Sequence, residues 1–366
     1  MSAENRKKLV ILSGGGTGGP STVPLALGQA LRRKDKDINL IFIGSNPILE
    51  KKLFAQIFKE LAIEYKSFPA GKWRRYFAWQ NFLDIFRVFY AFVLAYIWFK
   101  KVKPDLFISA GSFASVPLAW AAKLRGIKIV IHQQDLRPGL ANRLMAKTAD
   151  LISTAFEQSV KDYGRKAVCL GNPLLQEQLS QDLSSRLLQE LNLKKEEPVL
   201  LLVGGASGAV ALNKLLVEAL PFLPPNWQII HQTGSGKTID VSRLNYYQFE
   251  TLAHEDFNAL LNRADMVLSR AGLGSLTEFS ALAKTVVLIP MPQTHQEDNA
   301  QYFALKKAAL YWPQTELSGE VLAHKLLSLW REKEQRRMLQ ENIKTIMPPQ
   351  AATKGASLIY TLIYES

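Results

Sequence analysis

The chain has 366 residues, enough for two domains, and its 48% hydrophobic and 21% charged content is that of a globular protein with a substantial core. Its net charge of +13 points to an anionic partner: membrane lipid, nucleic acid or a phosphorylated substrate. The one cysteine, Cys169, excludes an internal disulfide and a cysteine-rich zinc site, and suits a reducing compartment.

The N-terminus does not read as a signal peptide, because the apolar run Leu9–Leu12 is short and leads directly into "SGGGTGGP", Ser13 to Pro20. A helical pattern follows from Ser21. Strand, glycine loop and helix in that order suit a backbone cradle for phosphate or a sugar, since glycine permits close approach and a helix start offers free N–H groups. The same pattern also suits a tight turn of small residues. A second strand is expected at Leu40–Ile43.

The most apolar stretch is Phe82–Phe99. Asp84 and Arg87 interrupt it, and Val88–Phe99 falls short of the roughly 20 residues a spanning helix needs, so a buried or interfacial helix is expected. Just before it, Lys72, Arg74 and Arg75 alternate with Trp73, Phe77 and Trp79, a mix suited to lipid headgroups and the acyl boundary. The competing reading is a core helix after a basic loop.

Further strands are expected at Leu106–Ser109, Ile127–Ile131, Leu151–Ser153 and Ala167–Leu170. The stretch "IHQQDLRPGLANR" crowds His132, Gln133, Gln134 and Asp135 at a strand end, which favours a site over a capped turn. The turn Gly171–Pro173 closes the first half, and Leu174–Lys195 reads as a polar, helical linker. The second half restarts with a strand at Pro198–Val203, the loop "GGASGAVALN" and a helix, followed by strands at Gln228–Gln232, Met266–Ser269 and Val286–Ile289. "HQTGSGKT", His231 to Thr238, lacks the first glycine of a P-loop and reads as a turn after a strand.

In "ADMVLSRAGLGSLTEFSAL", a helix starting near Ser275 can hold a phosphate at its N-terminus, with Arg270 adding charge. Glu278 either accepts from a ribose diol or stabilises the helix dipole. In "PMPQTHQEDNAQYF", Gln296 and Asn299 share one helix face and can read hydroxyls or amides, or simply face solvent. His295 has no second histidine at ligand spacing, so no metal site is expected. A final helix, Ala351–Tyr364, can pack back on the first domain.

Alternating strands and helices argue for parallel sheets covered on both faces. The expectation is α/β: two doubly wound domains, residues 1–173 and 174–347, with 348–366 returning to the first, and one cleft between them. Ligands in such sheets sit beyond the strands' C-terminal ends.

Taken in order, these stretches resemble the MurG family of GT-B glycosyltransferases over nearly the whole chain. "GGTGGP" (Gly15–Pro20) is similar to the family's GGTGGH and "HQQD" to HEQN. The GNP turn is Gly171–Pro173, "GGASGA" is similar to GGSQGA, Arg270-Ala271-Gly272 through Glu278 to RAG…E, and His295–Ala300 to HQxxNA. The resemblance implies two Rossmann-like domains and inverting transfer of N-acetylglucosamine from UDP-GlcNAc to lipid I, an undecaprenyl-diphosphate-linked acceptor, giving lipid II in peptidoglycan synthesis. It implies peripheral attachment to the anionic cytoplasmic face of the bacterial inner membrane, and no metal cofactor. Glu278 resembles the ribose ligand, Gln296 and Asn299 the GlcNAc ligands, and Leu273, Gly274, Ser275, Leu276 and Thr277 the diphosphate loop. His254 falls where the family touches uracil through its backbone, and Thr17, Gly18 and Gly19 where acceptor and donor meet. No nucleic-acid module is recognised.

The departures fall mainly in the acceptor half. Pro20 replaces the family histidine, Gln133 the glutamate, Asp135 the asparagine, Leu175 an arginine and Ala206 a serine. An inverting transferase needs a base for the acceptor hydroxyl. Asp135 is the remaining carboxylate of the motif; His132 or the substrate's own diphosphate are the alternatives. A related transferase with another sugar or lipid acceptor, or a UDP-sugar-binding scaffold at the membrane, are the competing functions.

Overall fold

The computed structural model describes residues 6–15, 18–68, 79–175, 185–205 and 208–364. Two compact units divide the chain: Met1–Leu175 with Pro349–Ser366, and Gln176–Pro348.

Unit 1 contains β1 (Leu9–Ser13), α1 (Gly18–Lys34), β2 (Asn39–Gly44), α2 (Pro47–Leu53), α3 (Ala55–Glu60), β3 (Glu64–Ser67), α4 (Trp79–Val102), β4 (Leu106–Ser109), α5 (Ser115–Leu124), β5 (Lys128–Gln133), α6 (Leu140–Ala146), β6 (Leu151–Thr154) and β7 (Ala167–Cys169). Its sheet is parallel throughout, in the order β3-β2-β1-β4-β5-β6-β7. Side chains alternate across a strand, and both faces of this sheet are apolar. Val10, Leu12, Leu40, Phe42, Leu106 and Ile108 face Val23, Leu27 and Leu31 of α1. Ile11, Ile41, Ile43, Phe107, Ile129 and Ile131 face Ala95 and Phe99 of α4 and Leu118 and Ala122 of α5.

Unit 2 contains α7 (Arg186–Leu191), β8 (Val199–Val203), α8 (Val210–Ala219), β9 (Gln228–Gln232), β10 (Tyr246–Phe249), α9 (His254–Arg263), β11 (Met266–Ser269), α10 (Leu273–Ala281), β12 (Thr285–Leu288), α11 (His295–Leu305), β13 (Leu310–Tyr311), α12 (Gly319–Arg331) and α13 (Lys333–Ile346). Its sheet is also parallel, ordered β10-β9-β8-β11-β12-β13. Leu200, Leu202, Ile229, Met266, Leu268 and Val287 pack against Leu212 and Leu216 of α8 and Leu322 and Leu326 of α12.

The last helix, α14 (Ala351–Tyr364), returns to unit 1, where Ala356 and Ile359 join the core beside α1. Tyr364 Oη donates to Asp35 Oδ2 at 2.6 Å.

The sequence reading missed β3, β10 and β13. β3 and β10 are four-residue edge strands with half-exposed side chains, and β13 has two residues, so none carries the apolar run of a central strand. α1 starts at Gly18 rather than Ser21, with Pro20 in its first turn, where a missing N–H costs no intrahelical bond. Of the expected helical linker, the described part forms only α7.

Candidate active site

In both sheets the strand order reverses at one point: between β1 and β4 in unit 1, and between β8 and β11 in unit 2. Loops leaving the carboxyl ends of strands at such a point diverge and leave a crevice. Register places the strand ends in rows. Ser13 lies opposite Ile43 and Ser109, and Ser109 opposite Ile131. In unit 2, Ser269 lies opposite Val203 and Leu288, and Val203 opposite Gln232. Every sequence motif singled out above therefore leaves the carboxyl edge of its own sheet.

In unit 1 the first glycine loop follows β1. Gly15 adopts φ +151, and a Cβ there would collide with Ser45 Oγ and stand 3.1 Å from Ser112 Oγ, so only glycine fits. Gly18 and Gly19 form the first turn of α1. Thr17 lies outside the described residues.

The second element of unit 1 is the end of β5 and the loop after it. β5 runs two residues further than expected, which draws His132 and Gln133 into the sheet. His132 is fully buried: Nδ1 is 2.9 Å from Ser153 Oγ and Nε2 3.0 Å from Asn172 Oδ1. Burial pushes its pKa from 6.5 down to about 4. With both ring nitrogens engaged and no exposed surface, His132 ties β5 to the turn at 171–173 and is not placed to act as a base.

Gln133 is also saturated. Its Nε2 donates to the carbonyls of Asp135 (2.7 Å) and Arg137 (3.0 Å). Its Oε1 accepts from Asn142 Nδ2 (2.7 Å) and Tyr163 Oη (2.9 Å). Ser159 Oγ donates to the carbonyl of Leu136 at 2.8 Å. Three successive loop carbonyls are thus held, and the half-buried Asp135 is carried on a fixed loop. Leu175, where the resemblance places an arginine, is 2% exposed and belongs to the apolar core.

In unit 2 the second glycine loop leaves β8. Gly208, at φ +69, lies so close to the carbonyl of Thr233 that any side chain would overlap it. Ala206 lies outside the described residues. α10 begins directly after Gly272, two residues earlier than expected. Leu273 and Leu276 point into the core, and Thr277 Oγ1 donates to the carbonyl of Leu273 at 2.7 Å. Gly274 and Ser275 remain partly exposed at the helix start, where the first N–H groups have no intrahelical acceptor. An anion there would be met by backbone rather than by the side chains of Leu273, Leu276 or Thr277.

Glu278 lies one turn further, 8% exposed. Arg270 is buried and faces inward: Nη1 donates to the carbonyl of Ile289 and Nη2 to Gln314 Oε1, both at 2.7 Å. It braces the ends of β11 and β12. Asn299 is fully buried and donates to the carbonyl of Ala271 at 3.1 Å, fastening α11 to the loop before α10. Gln296 is half-buried, its Oε1 accepting from the N–H of Met291 at 3.0 Å. His254 is the first residue of α9, half-buried, on the same sheet edge. Among the described residues no group of three His, Cys, Asp or Glu side chains is placed to hold a metal.

The feature sequence reasoning missed is Glu50, 1% exposed beneath the first glycine loop. Only its place in the short stretch after β2 marks it, and nothing in its neighbours predicts burial.

On the outer face of unit 1, α4 buries Ala91, Ala95 and Phe99 and exposes Phe86, Phe89, Tyr90 and Ile97, each by 57% or more. Among the described residues no helix is long and apolar enough to cross a membrane. Lys72, Trp73, Arg74, Arg75 and Phe77 lie outside the described residues, and Trp79 is the first residue of α4.

Two family models match the chain: the glycosyltransferase family 28 N-terminal domain over residues 10–154 and its C-terminal domain over residues 199–355. With the two Rossmann-like sheets, they define a family 28 glycosyltransferase of the GT-B fold class. A Clostridium botulinum (strain Alaska E43 / Type E3) protein is 36% identical over 98% of either chain, and a Borreliella burgdorferi protein 30% identical over 99% of either chain. Both are named UDP-N-acetylglucosamine--N-acetylmuramyl-(pentapeptide) pyrophosphoryl-undecaprenol N-acetylglucosamine transferase. The chain belongs to their family, the MurG family. Acinetobacter baumannii MurG shares the fold with a TM-score of 0.71 at 23% identity, covering 97% of this chain and 99% of that one. A putative UDP-N-acetylglucosamine 2-epimerase from Listeria monocytogenes shares it equally, at 0.74 and 13%, over 98% of each chain.

Proposed function

We propose that the protein transfers N-acetylglucosamine from UDP-GlcNAc, with inversion, to an undecaprenyl-diphosphate-linked N-acetylmuramyl-pentapeptide, lipid I. The product is lipid II, and the place is the cytoplasmic surface of the bacterial cell membrane. The observation that carries this reading is the gathering of Gly274, Ser275, Glu278, Gln296, Asn299 and His254 along one edge of the unit 2 sheet, in a chain of this family. Backbone N–H groups at the start of α10 meet the donor diphosphate. Glu278 accepts from the ribose hydroxyls and Gln296 reads the sugar, while the buried Asn299 holds α11 in place through the Ala271 carbonyl. Arg270 acts on the site indirectly, by holding β11 and β12.

The acceptor lies on unit 1, at the glycine loop and the loop carrying Asp135. His132, buried with both ring nitrogens engaged, leaves Asp135 as the base for the acceptor hydroxyl. The attacking oxygen forms its bond to the anomeric carbon as the bond to UDP breaks, and its proton passes to the Asp135 carboxylate.

Membrane attachment belongs to unit 1. That unit carries 28 Lys and Arg against 13 Asp and Glu, while unit 2 carries 17 against 19. The whole positive surplus therefore accompanies the exposed aromatic face of α4.

The test is incubation of the full-length protein with radiolabelled UDP-GlcNAc and a lipid I analogue, wild type beside Asp135→Asn. General-base assistance is worth roughly 100- to 10,000-fold. Asp135→Asn is expected to lower transfer at least 100-fold, with UDP-GlcNAc affinity unchanged. Full activity in the variant moves the base elsewhere, and donor binding without any transfer by wild type overturns the reaction.

A further inference from the structure

Glu50 is the most buried acidic side chain among the described residues of unit 1, and a phenol, a backbone N–H and a hydroxyl all donate to its carboxyl group. Tyr65 Oη donates to Oε2 at 2.7 Å and the N–H of Asn46 to Oε2 at 3.3 Å, while Ser21 Oγ donates to Oε1 at 3.4 Å. Burial, and then the bond to Glu50, raise the Tyr65 phenol above its ordinary pKa, which keeps it a donor. Room for the group exists because residue 44 is glycine: a Cβ there would overlap Oε2 and stand 2.6 Å from Tyr65 Oη.

Two contacts lead from this group to the glycine loop. Ser21, in the second turn of α1, packs against Gly14 so closely that a Cβ on Gly14 would lie 2.6 Å from Ser21 Oγ and 2.7 Å from its Cα. Ser45, between Gly44 and the Glu50-bearing α2, closes on Gly15 in the same way. The carboxyl group therefore sits under the junction of three segments: the end of β2, the start of α1 and the glycine loop.

We propose that Glu50 is a positioning residue for transfer, holding the first turns of α1 through Ser21 and thereby fixing the glycine loop against which the acceptor is placed. This rests on the assignment of that loop to the acceptor side. A carboxyl group serves because it accepts from a hydroxyl, a phenol and a backbone N–H at once. Glutamine keeps an oxygen for Tyr65 and Asn46 and turns its amide toward Ser21 Oγ, which accepts from it. Alanine leaves all three donors unmet.

The test uses the full-length protein as wild type, Glu50→Ala, Glu50→Gln, Ser21→Ala and the Glu50→Ala/Ser21→Ala double variant. Small misplacements of a reacting group cost up to about 100-fold in rate. Glu50→Ala is expected to lower kcat with a lipid I analogue by roughly ten- to a hundredfold, with the UDP-GlcNAc dissociation constant unchanged by calorimetry. Glu50→Gln should recover most of that rate. The double variant should be no worse than Glu50→Ala, as for residues acting through one contact.

Hydrogen exchange supplies the readout that does not depend on activity. Amides of residues 18–25 should exchange faster in Glu50→Ala than in wild type or Glu50→Gln, with residues 199–203 unaffected. Unchanged exchange at residues 18–25 in Glu50→Ala overturns the proposal, whether or not wild type transfers sugar. So does a wild-type kcat in that variant, or a loss of donor affinity as large as the loss of rate.

Discussion

His132 Nε2 and Asn172 Oδ1 lie 3.0 Å apart with no water-accessible surface on the histidine, joining the end of β5 to the turn that closes unit 1. Unit 2 repeats the device. His231, at the end of β9, has Nε2 3.1 Å from Asn213 Oδ1 and Nδ1 2.8 Å from Tyr246 Oη.

Both histidines are held neutral by burial, each at a pKa of about 4 against an ordinary 6.5. Between those values the unfolded chain binds protons that the folded chain refuses, so stability is full above about pH 6.5 and falls as the pH drops toward 4. Each pKa unit corresponds to about 1.4 kcal/mol. Urea midpoints measured from pH 7 to pH 4.5 should decline, and His231→Gln should decline less steeply than wild type. Parallel slopes would show that His231 carries none of the effect.

Gln133→Glu restores the residue that the resemblance leads one to expect, yet it should destabilise this chain. The amide donates to two loop carbonyls, those of Asp135 and Arg137, and a carboxylate would set oxygen against oxygen at both. A buried group left without its partner costs about 1–3 kcal/mol. Urea unfolding at pH 7.5 should show a loss of that size, recovered in part at low pH as the carboxyl group protonates.

Glu278→Ala should weaken UDP-GlcNAc binding by about tenfold or more, since a hydrogen bond to a charged group contributes roughly 1.5–3 kcal/mol. Calorimetry on the folded variant checks this. Unchanged affinity would return Glu278 to the role of a helix-dipole residue in α10.

Membrane attachment should need both charge and the exposed face of α4. Sedimentation with anionic vesicles should fall as salt rises, because each basic residue near such a surface is worth roughly 1 kcal/mol. Phe86→Ser/Phe89→Ser should weaken binding at every salt concentration without changing UDP-GlcNAc affinity. Equal binding to neutral and anionic vesicles would remove the electrostatic part.

The central strands were legible in the sequence because they are buried on both faces, which demands continuous apolar runs such as Leu9–Leu12 and Val199–Val203. The glycine loops were legible too, because Gly15 and Gly208 sit where a side chain collides. Local pattern thus determined the two-sheet plan and the strand edge at which each motif emerges.

It could not determine which polar residues at that edge face a ligand and which face inward, because that depends on partners distant in the chain. His132 looked like a candidate base until Ser153 and Asn172, 21 and 40 residues away, closed on both its nitrogens. Arg270 looked like a phosphate ligand until Ile289 and Gln314 took its guanidinium. Glu50 carries no mark in the sequence, and only the fold encloses it with Gly44, Ser21 and Tyr65. A polar side chain carries its chemistry in the sequence, but whether water or protein satisfies it is decided only when tertiary packing removes the water.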